Sequence, residues 1–253
     1  MIVDTHCHLH FDEFDADREQ VIRRAREAGV QWLVNVGTDP ETNENAYELA
    51  KQDDFMAHTV GLHPHSAHEA DDDTFARLER QVVSTKPSAI GEVGLDYFKS
   101  EGDPATQKKV FGRMLELARR HSLPVIVHSR EAFEDTHAML KEAARAGVRG
   151  VMHCFSYDEA AMKKMADLGF FISFACNITF KKAEHLFATA KATPADRLVV
   201  ETDSPYLSLH RGKRNEPANL AQLVPLLASA RGVDAGALSE RTTANAKELF
   251  GLS

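Results

Sequence analysis

The sequence predicts an α/β fold, a closed (β/α)₈ TIM barrel built as one domain over residues 1–253. Eight short, β-branched apolar runs alternate with longer charged stretches of helical spacing, the pattern of repeated βα units on a parallel sheet. The length, 253 residues, is the usual size of one such barrel. Residues able to bind metal occur at both the first run (His6, His8) and the eighth (Asp203), and closure makes those two runs neighbours. An open doubly wound sheet is the competing architecture, but no G-x-G-x-x-G follows the first run and no Walker-type loop is present.

In order, residues 2–8 enter a strand at once through Ile2 and Val3, and the helix expected over 17–28 stops at Gly29. A second strand over 32–37 leads to a helix near 41–51, and a third over 57–63 to a helix near 73–84. The fourth strand, 88–94, precedes a helix over 104–121 with Pro104 suited to its first position. Strands over 124–130 and 150–155 are followed by helices over 132–146 and 158–168, closed by Gly147 and Gly169. The seventh strand, 170–175, leads to a helix over 182–192, and the eighth covers 198–203. Two helices finish the chain, 217–231 between Pro217 and Gly232, and 234–250.

Hydrophobic residues make up 43% of the chain, yet no apolar stretch approaches the roughly 20 residues that span a bilayer. No basic segment or long apolar leader precedes the first strand, so a cytoplasmic location is expected, without membrane contact. Cys7, Cys154 and Cys176 form an odd, sparse set with no C-x-x-C and read as free thiols in a reducing compartment. A net charge of −8 excludes a broad basic surface that wraps duplex nucleic acid. It leaves room for a local grip, and the densest basic cluster, Arg211-Gly212-Lys213-Arg214, follows closely on Asp203.

His6-x-His8 puts two imidazoles on one face of a strand, because side chains alternate with period two. The same parity turns Cys7 toward the helices and is expected to turn Cys154 away from His153. Glu92, inside Gly91-Glu92-Val93-Gly94-Leu95-Asp96, is a carboxylate in an apolar strand. It needs a buried partner, either a cation or an arginine or backbone donor. His128 ends Val125-Ile126-Val127, His153 ends Gly150-Val151-Met152, and Asp203 closes the set. In a closed barrel Asp203 joins His6 and His8 around one ion, His128 and His153 hold a second, and the two oxygens of Glu92 bridge them. Nitrogen and oxygen donors suit zinc, manganese, iron or nickel, with magnesium less favoured because it prefers all-oxygen surroundings.

Arg130 shares the parity of His128 and is expected to offer its fork to a phosphate. His63 at the third strand's end, with Arg214 and Asn215 beyond Asp203, completes the expected substrate-binding set, and His65 is a weaker candidate. Glu201 has the parity of Asp203, which means either that it orients a ligand imidazole or that a bulge precedes Asp203; Asp4 poses the same question below His6. His58, His68, His121, His137, His185 and His210 are expected in helices or polar loops without a role. The charges over residues 18–26 and 113–120 read as solvated helix faces.

Asp4-Thr5-His6-Cys7-His8-Leu9, Gly61-Leu62-His63-Pro64-His65, Gly91 to Tyr97, His128-Ser129-Arg130, His153-Cys154-Phe155 and Glu201 to Tyr206 recur in this order, extended by Asn215-Glu216-Pro217 and Thr242-Thr243-Ala244-Asn245. Over essentially its whole length the sequence resembles the TatD family of metal-dependent hydrolases, a branch of the amidohydrolase-like barrels. The resemblance implies one to three divalent ions, the six ligands named above, and a bridging glutamate in place of a carbamylated lysine. It also implies a deoxyribonuclease, often acting from the 3′ end of single-stranded DNA, although some relatives are associated with removing D-amino acids from tRNA.

Between two divalent ions a water would lose its proton near neutral pH and be placed for in-line attack on phosphorus. Asp203 is then the candidate general base, with Glu92 the other catalytic carboxylate. The substrate expected is DNA, met by a monomer at single-stranded ends. An ester hydrolase acting on D-aminoacyl-tRNA is the alternative, since the fold does not choose the bond. A non-catalytic metal-binding protein is a third reading, disfavoured because structural sites are normally closed and this one lies at an open barrel mouth.

Overall fold

The computed structural model describes residues 1–99, 102–180, 183–210 and 212–253. Its eight strands are β1 (Ile2–Cys7), β2 (Val30–Asn35), β3 (Met56–Val60), β4 (Ala89–Asp96), β5 (Val125–Arg130), β6 (Gly150–Met152), β7 (Phe171–Phe174) and β8 (Leu198–Val200). They pair in parallel in sequence order. The ring is nearly closed where β8 returns to β1. There Cys7 and Ser204 form a parallel bridge, His8 N donates to Ser204 O at 2.8 Å, and Asp203 N donates to His6 O at 2.9 Å.

Outside the ring lie α1 (Arg18–Glu27), α2 (Pro40–Ala50), α3 (Asp72–Thr85), α4 (Pro104–His121), α5 (Phe133–Arg145), α6 (Glu159–Asp167), α7 (Glu184–Ala192), α8 (Leu220–Arg231) and α9 (Ala235–Phe250). The expected start of the seventh helix at Lys182 lies outside the described residues. Helix starts follow local chemistry. Asp39 with Thr42, and Asp71 with Thr74, form reciprocal capping boxes, while Asp103 caps α4 with Pro104 in its first turn. No described helix is long and apolar enough to cross a membrane.

Alternation decides the two layers of the core. Val3, Val34, Ala57, Ala89, Ile126, Val151, Phe171 and Val199, one from each strand, cluster with Ala246, Leu249 and Phe250 of α9. The last helix thus packs against the strands' inner side chains at one end of the barrel, and polar chemistry gathers at the carboxyl ends. A larger cluster, including Leu78, Phe111, Met114, Leu140, Met162 and Leu223, fills the space between strands and helices.

Several strands stop earlier than the sequence suggests: β3 at Val60, β6 at Met152 and β8 at Val200. His63, His153 and Asp203 therefore sit on the first residues of loops, tied to neighbours by backbone bonds such as His153 N to Val127 O at 3.0 Å. His58, grouped with the helix and loop histidines although the third strand was expected over 57–63, lies in β3. It is buried beneath the surrounding helices, 2.9 Å from Thr85 Oγ1 through Nε2.

Gly61 is required by a close approach. A Cβ there would overlap the carbonyl carbon and oxygen of Gly91 and the amide nitrogen of Glu92. Gly61→Ala is expected to destabilise the protein by about 2 kcal/mol or more, because backbone must move rather than a side-chain tip. Urea unfolding checks this, and an unchanged midpoint would show that the strand ends yield without cost.

Candidate metal centre

Two imidazoles and two carboxylates converge at the ends of β1 and β8 and the middle of β4. His6 Nε2 and His8 Nε2 are 3.1 Å apart. Glu92 Oε2 lies 3.4 Å from the first and 3.9 Å from the second, and Asp203 Oδ1 lies 3.8 Å and 3.6 Å from them. Four donors bound at about 2.1 Å around a tetrahedron stand about 3.4 Å from one another, so these spacings suit one shared cation.

The other oxygen of Glu92 faces a second set. Its Oε1 is 2.9 Å from His128 Nδ1 and 3.5 Å from both His63 Nε2 and His153 Nε2. All six sequence-selected ligands are thus brought together, and the structure adds His63, which the sequence reading assigned to substrate. His128 Nε2 turns toward Asp96 Oδ2 at 3.1 Å, and His65 Nε2 reaches the same oxygen at 3.0 Å.

Electrostatics favours cations here. Burial alone would raise the carboxyl of Glu92, but His153, His63, His128 and His6 hold it well below the usual carboxylate range. Asp203 is likewise kept low against burial by His8, His153 and His6. Burial opposes a proton on His153, yet Glu201 and Glu92 outweigh it and lift that imidazole to about 10. Burial depresses His6, and takes His63 down to about 4 despite Glu92. Among the described residues, the ion-pair partners of Glu92 and Asp203 are all imidazoles, and His6 Nδ1 is buried with no hydrogen-bond partner. Imidazole nitrogens and ionised carboxylate oxygens at these spacings fit divalent ions of the zinc, manganese, iron or nickel kind, which would displace the proton that the carboxylates draw onto His153.

Glu201 and Asp4 resolve the parity question. With β8 ending at Val200, Glu201 turns to His153, its Oε1 2.8 Å from Nδ1, and it accepts from Cys154 N at 2.7 Å. Asp4 accepts from Thr202 N at 2.9 Å, Thr202 Oγ1 at 2.6 Å and His6 N at 3.3 Å, bracing the loop that carries Asp203. Complete burial nevertheless raises its carboxyl to about 7. Carboxylates that orient ligand imidazoles typically contribute 10–100-fold to metal affinity or activity. Glu201→Gln is therefore expected to weaken metal retention by about that factor, measured by chelator competition, and unchanged retention would leave Glu201 a purely structural acceptor.

Three expectations need correction. Cys154 does not point away from His153: past the end of β6 it adopts φ 43, and its thiol joins His153 and Asp203 in one group of donors within 4.8 Å. Alternation holds only while the strand continues. Arg214, expected on substrate, is committed to the entry of α1, donating to Glu13 O and to Asp17 Oδ2 at 2.8 Å with its guanidinium 4.4 Å over the Phe14 ring. Asn215, expected there too, is fully buried, donating to Thr202 O at 2.8 Å and accepting from Asn219 Nδ2 at 2.6 Å. Arg211 of the same cluster lies outside the described residues. Arg130 is exposed, its guanidinium 4.1 Å over Phe98.

Two further polar residues, Asp96 and His10, are not among the candidates that the sequence singles out. Asp96 has the strand parity of Glu92, which was the available signal. His10 is buried beside Asn35, its Nδ1 3.1 Å from Oδ1, and burial lowers it to about 3.

Comparison with known proteins gives the family. Residues 3–251 match the family described as TatD related DNase. The chain is 37% identical over 252 residues to YabD, an uncharacterised metal-dependent hydrolase of Bacillus subtilis, covering 99% of each protein. It is 38% identical over 258 residues to a protein of Erwinia tasmaniensis named 3′-5′ ssDNA/RNA exonuclease TatD, covering 98% of this chain and 99% of that one. The crystal structure of the TatD homolog YJJV from Escherichia coli K12 superposes with a TM-score of 0.94 at 28% identity, covering 100% of this chain and 98% of the other. Over almost all of its length, the chain belongs to the TatD-related DNase family of metal-dependent hydrolases.

Proposed function

We propose that the protein hydrolyses phosphodiester bonds of DNA from the 3′ ends of single strands, with two divalent ions held at the barrel mouth. The observation that carries this reading is the division of Glu92. One oxygen faces His6, His8 and the neighbouring Asp203, and the other faces His63, His128 and His153. Bound there, divalent ions supply Lewis acidity toward a phosphoryl oxygen and neutralise charge that develops on it.

The chain's own groups do the rest. Asp203, ionised and only 14% exposed, accepts a proton at a carboxylate oxygen. Glu201 fixes the His153 ring, and Arg130 stands at the end of β5 to hold a phosphate of the strand. Donors from residue 6 to residue 203 come from one chain, which supports a single catalytic domain over residues 1–253 that works as a monomer.

Purified protein is incubated with a 3′-labelled single-stranded oligodeoxynucleotide and, separately, with D-aminoacyl-tRNA, each with and without chelator. Release of the label on a mononucleotide, stopped by chelator, is expected. Hydrolysis of the aminoacyl ester alone would overturn the nuclease reading and leave the metal centre in place.

A further inference from the structure

Among the described residues, seven large hydrophobic side chains are exposed, and they divide by chemistry and place. Met1, Val83, Leu226 and Val233 are aliphatic and lie at the chain start or on and beside the outer helices. The three aromatic ones are Phe98, 54% exposed, Phe180, 42%, and Tyr206, 50%. All three lie in loops leaving the carboxyl ends of strands, after β4, β7 and β8.

Each aromatic residue is also tied to the metal centre. Tyr206 has its ring centroid 6.3 Å from that of His8, and its N donates to Asp203 O at 2.8 Å. Phe98 N donates at 2.8 Å to Asp96 Oδ1, the carboxylate whose other oxygen meets His128. Phe180 N donates to Asn177 O at 3.0 Å, and Asn177 Nδ2 approaches Cys154 Sγ at 3.6 Å, next to His153. Rings left in water around a charged centre, one of them lying under the Arg130 guanidinium, are the makings of a surface for flat, anionic ligands.

We propose that Phe98, Tyr206 and Phe180 form a stacking rim for unpaired nucleobases of the strand whose backbone enters the metal centre, and that this rim sets the preference for single strands. The inference rests on the nucleic-acid reading above. Paired bases hide their faces inside the duplex, whereas an unpaired end offers them to aromatic side chains whatever its sequence. The rim also answers how a chain of net charge −8 holds a polyanion: stacking provides affinity that does not depend on a broad basic face.

The test compares an oligodeoxynucleotide with one whose last three 3′ residues are abasic, using the full protein loaded with Mn²⁺. Cleavage is followed by 3′ label release, and binding by fluorescence anisotropy. Wild-type protein is expected to bind the complete strand about tenfold or more tightly than the abasic one. Phe98→Ala and Tyr206→Ala are each expected to raise KM for the complete strand about tenfold, and to shift the abasic strand much less. Phe98→Leu, which keeps apolar area without a π face, should behave as alanine does, whereas Tyr206→Phe should restore wild-type values. Val83→Ala on α3 is the surface control. Equal wild-type affinity for the two strands, or equal KM increases on both in the alanine variants, would overturn the rim. Protein that prefers the complete strand but cleaves neither would keep the rim and sink the nuclease reading.

Discussion

Replacing Glu92 by glutamine is expected to lower turnover by roughly 10³-fold or more and to reduce bound metal from the two equivalents proposed above to one or fewer. Glutamine keeps the shape and changes the donor set. The carboxylate presents an oxygen 3.4 Å from His6 Nε2 and another 2.9 Å from His128 Nδ1, and an amide can present an oxygen to only one side. Its NH₂ group would face imidazole nitrogens or a cation on the other, so one set of ligands loses an anionic member. Metal content after dialysis, measured by elemental analysis beside kcat, checks the prediction. A folded Glu92→Gln protein retaining two ions and most of its activity would remove Glu92 from its bridging place.

That centre was legible because barrel geometry turns remote positions in sequence into neighbours. His6 and His8 share a strand face, and Asp203 follows the strand that closes against theirs, so alternation and closure together predict the meeting. Where the reading failed, it carried alternation past a strand's end or ignored tertiary partners. Cys154 was excluded on the parity of a strand that stops at Met152, and its positive φ swings the thiol back to Asp203. Arg214 and Asn215 looked available because the sequence does not show that Asp17 and Thr202 take their polar groups. His58 looked like a surface histidine because Thr85, its partner, lies 27 residues away on another element. Asp96 was within reach: it stands four residues after Glu92 on one strand face, and its two contacts with histidines follow from that parity.

Asp203→Asn separates two roles that one carboxylate can play. If Asp203 only holds an ion, asparagine, which keeps one donor oxygen, should weaken binding, and excess metal should restore the rate. If it also accepts a proton, the rate stays low at saturating metal, because an amide oxygen is far less basic than a carboxylate. We expect the second outcome. The carboxyl is held below its usual range by His8 and His153 against the opposing effect of burial, so it carries no proton in the neutral range, although the same imidazoles lower its basicity. Its Oδ1 stands 3.6 Å from His8 and 3.8 Å from His6, and the side chain keeps 14% exposure. A fall in kcat of about 10²–10⁴-fold is expected at saturating Mn²⁺, with KM little changed. Full recovery of kcat on raising the metal concentration would confine Asp203 to holding the ion. The proton would then have to leave through another group, for which His63, which burial keeps unprotonated near neutral pH and which stands 3.5 Å from Glu92, is a candidate.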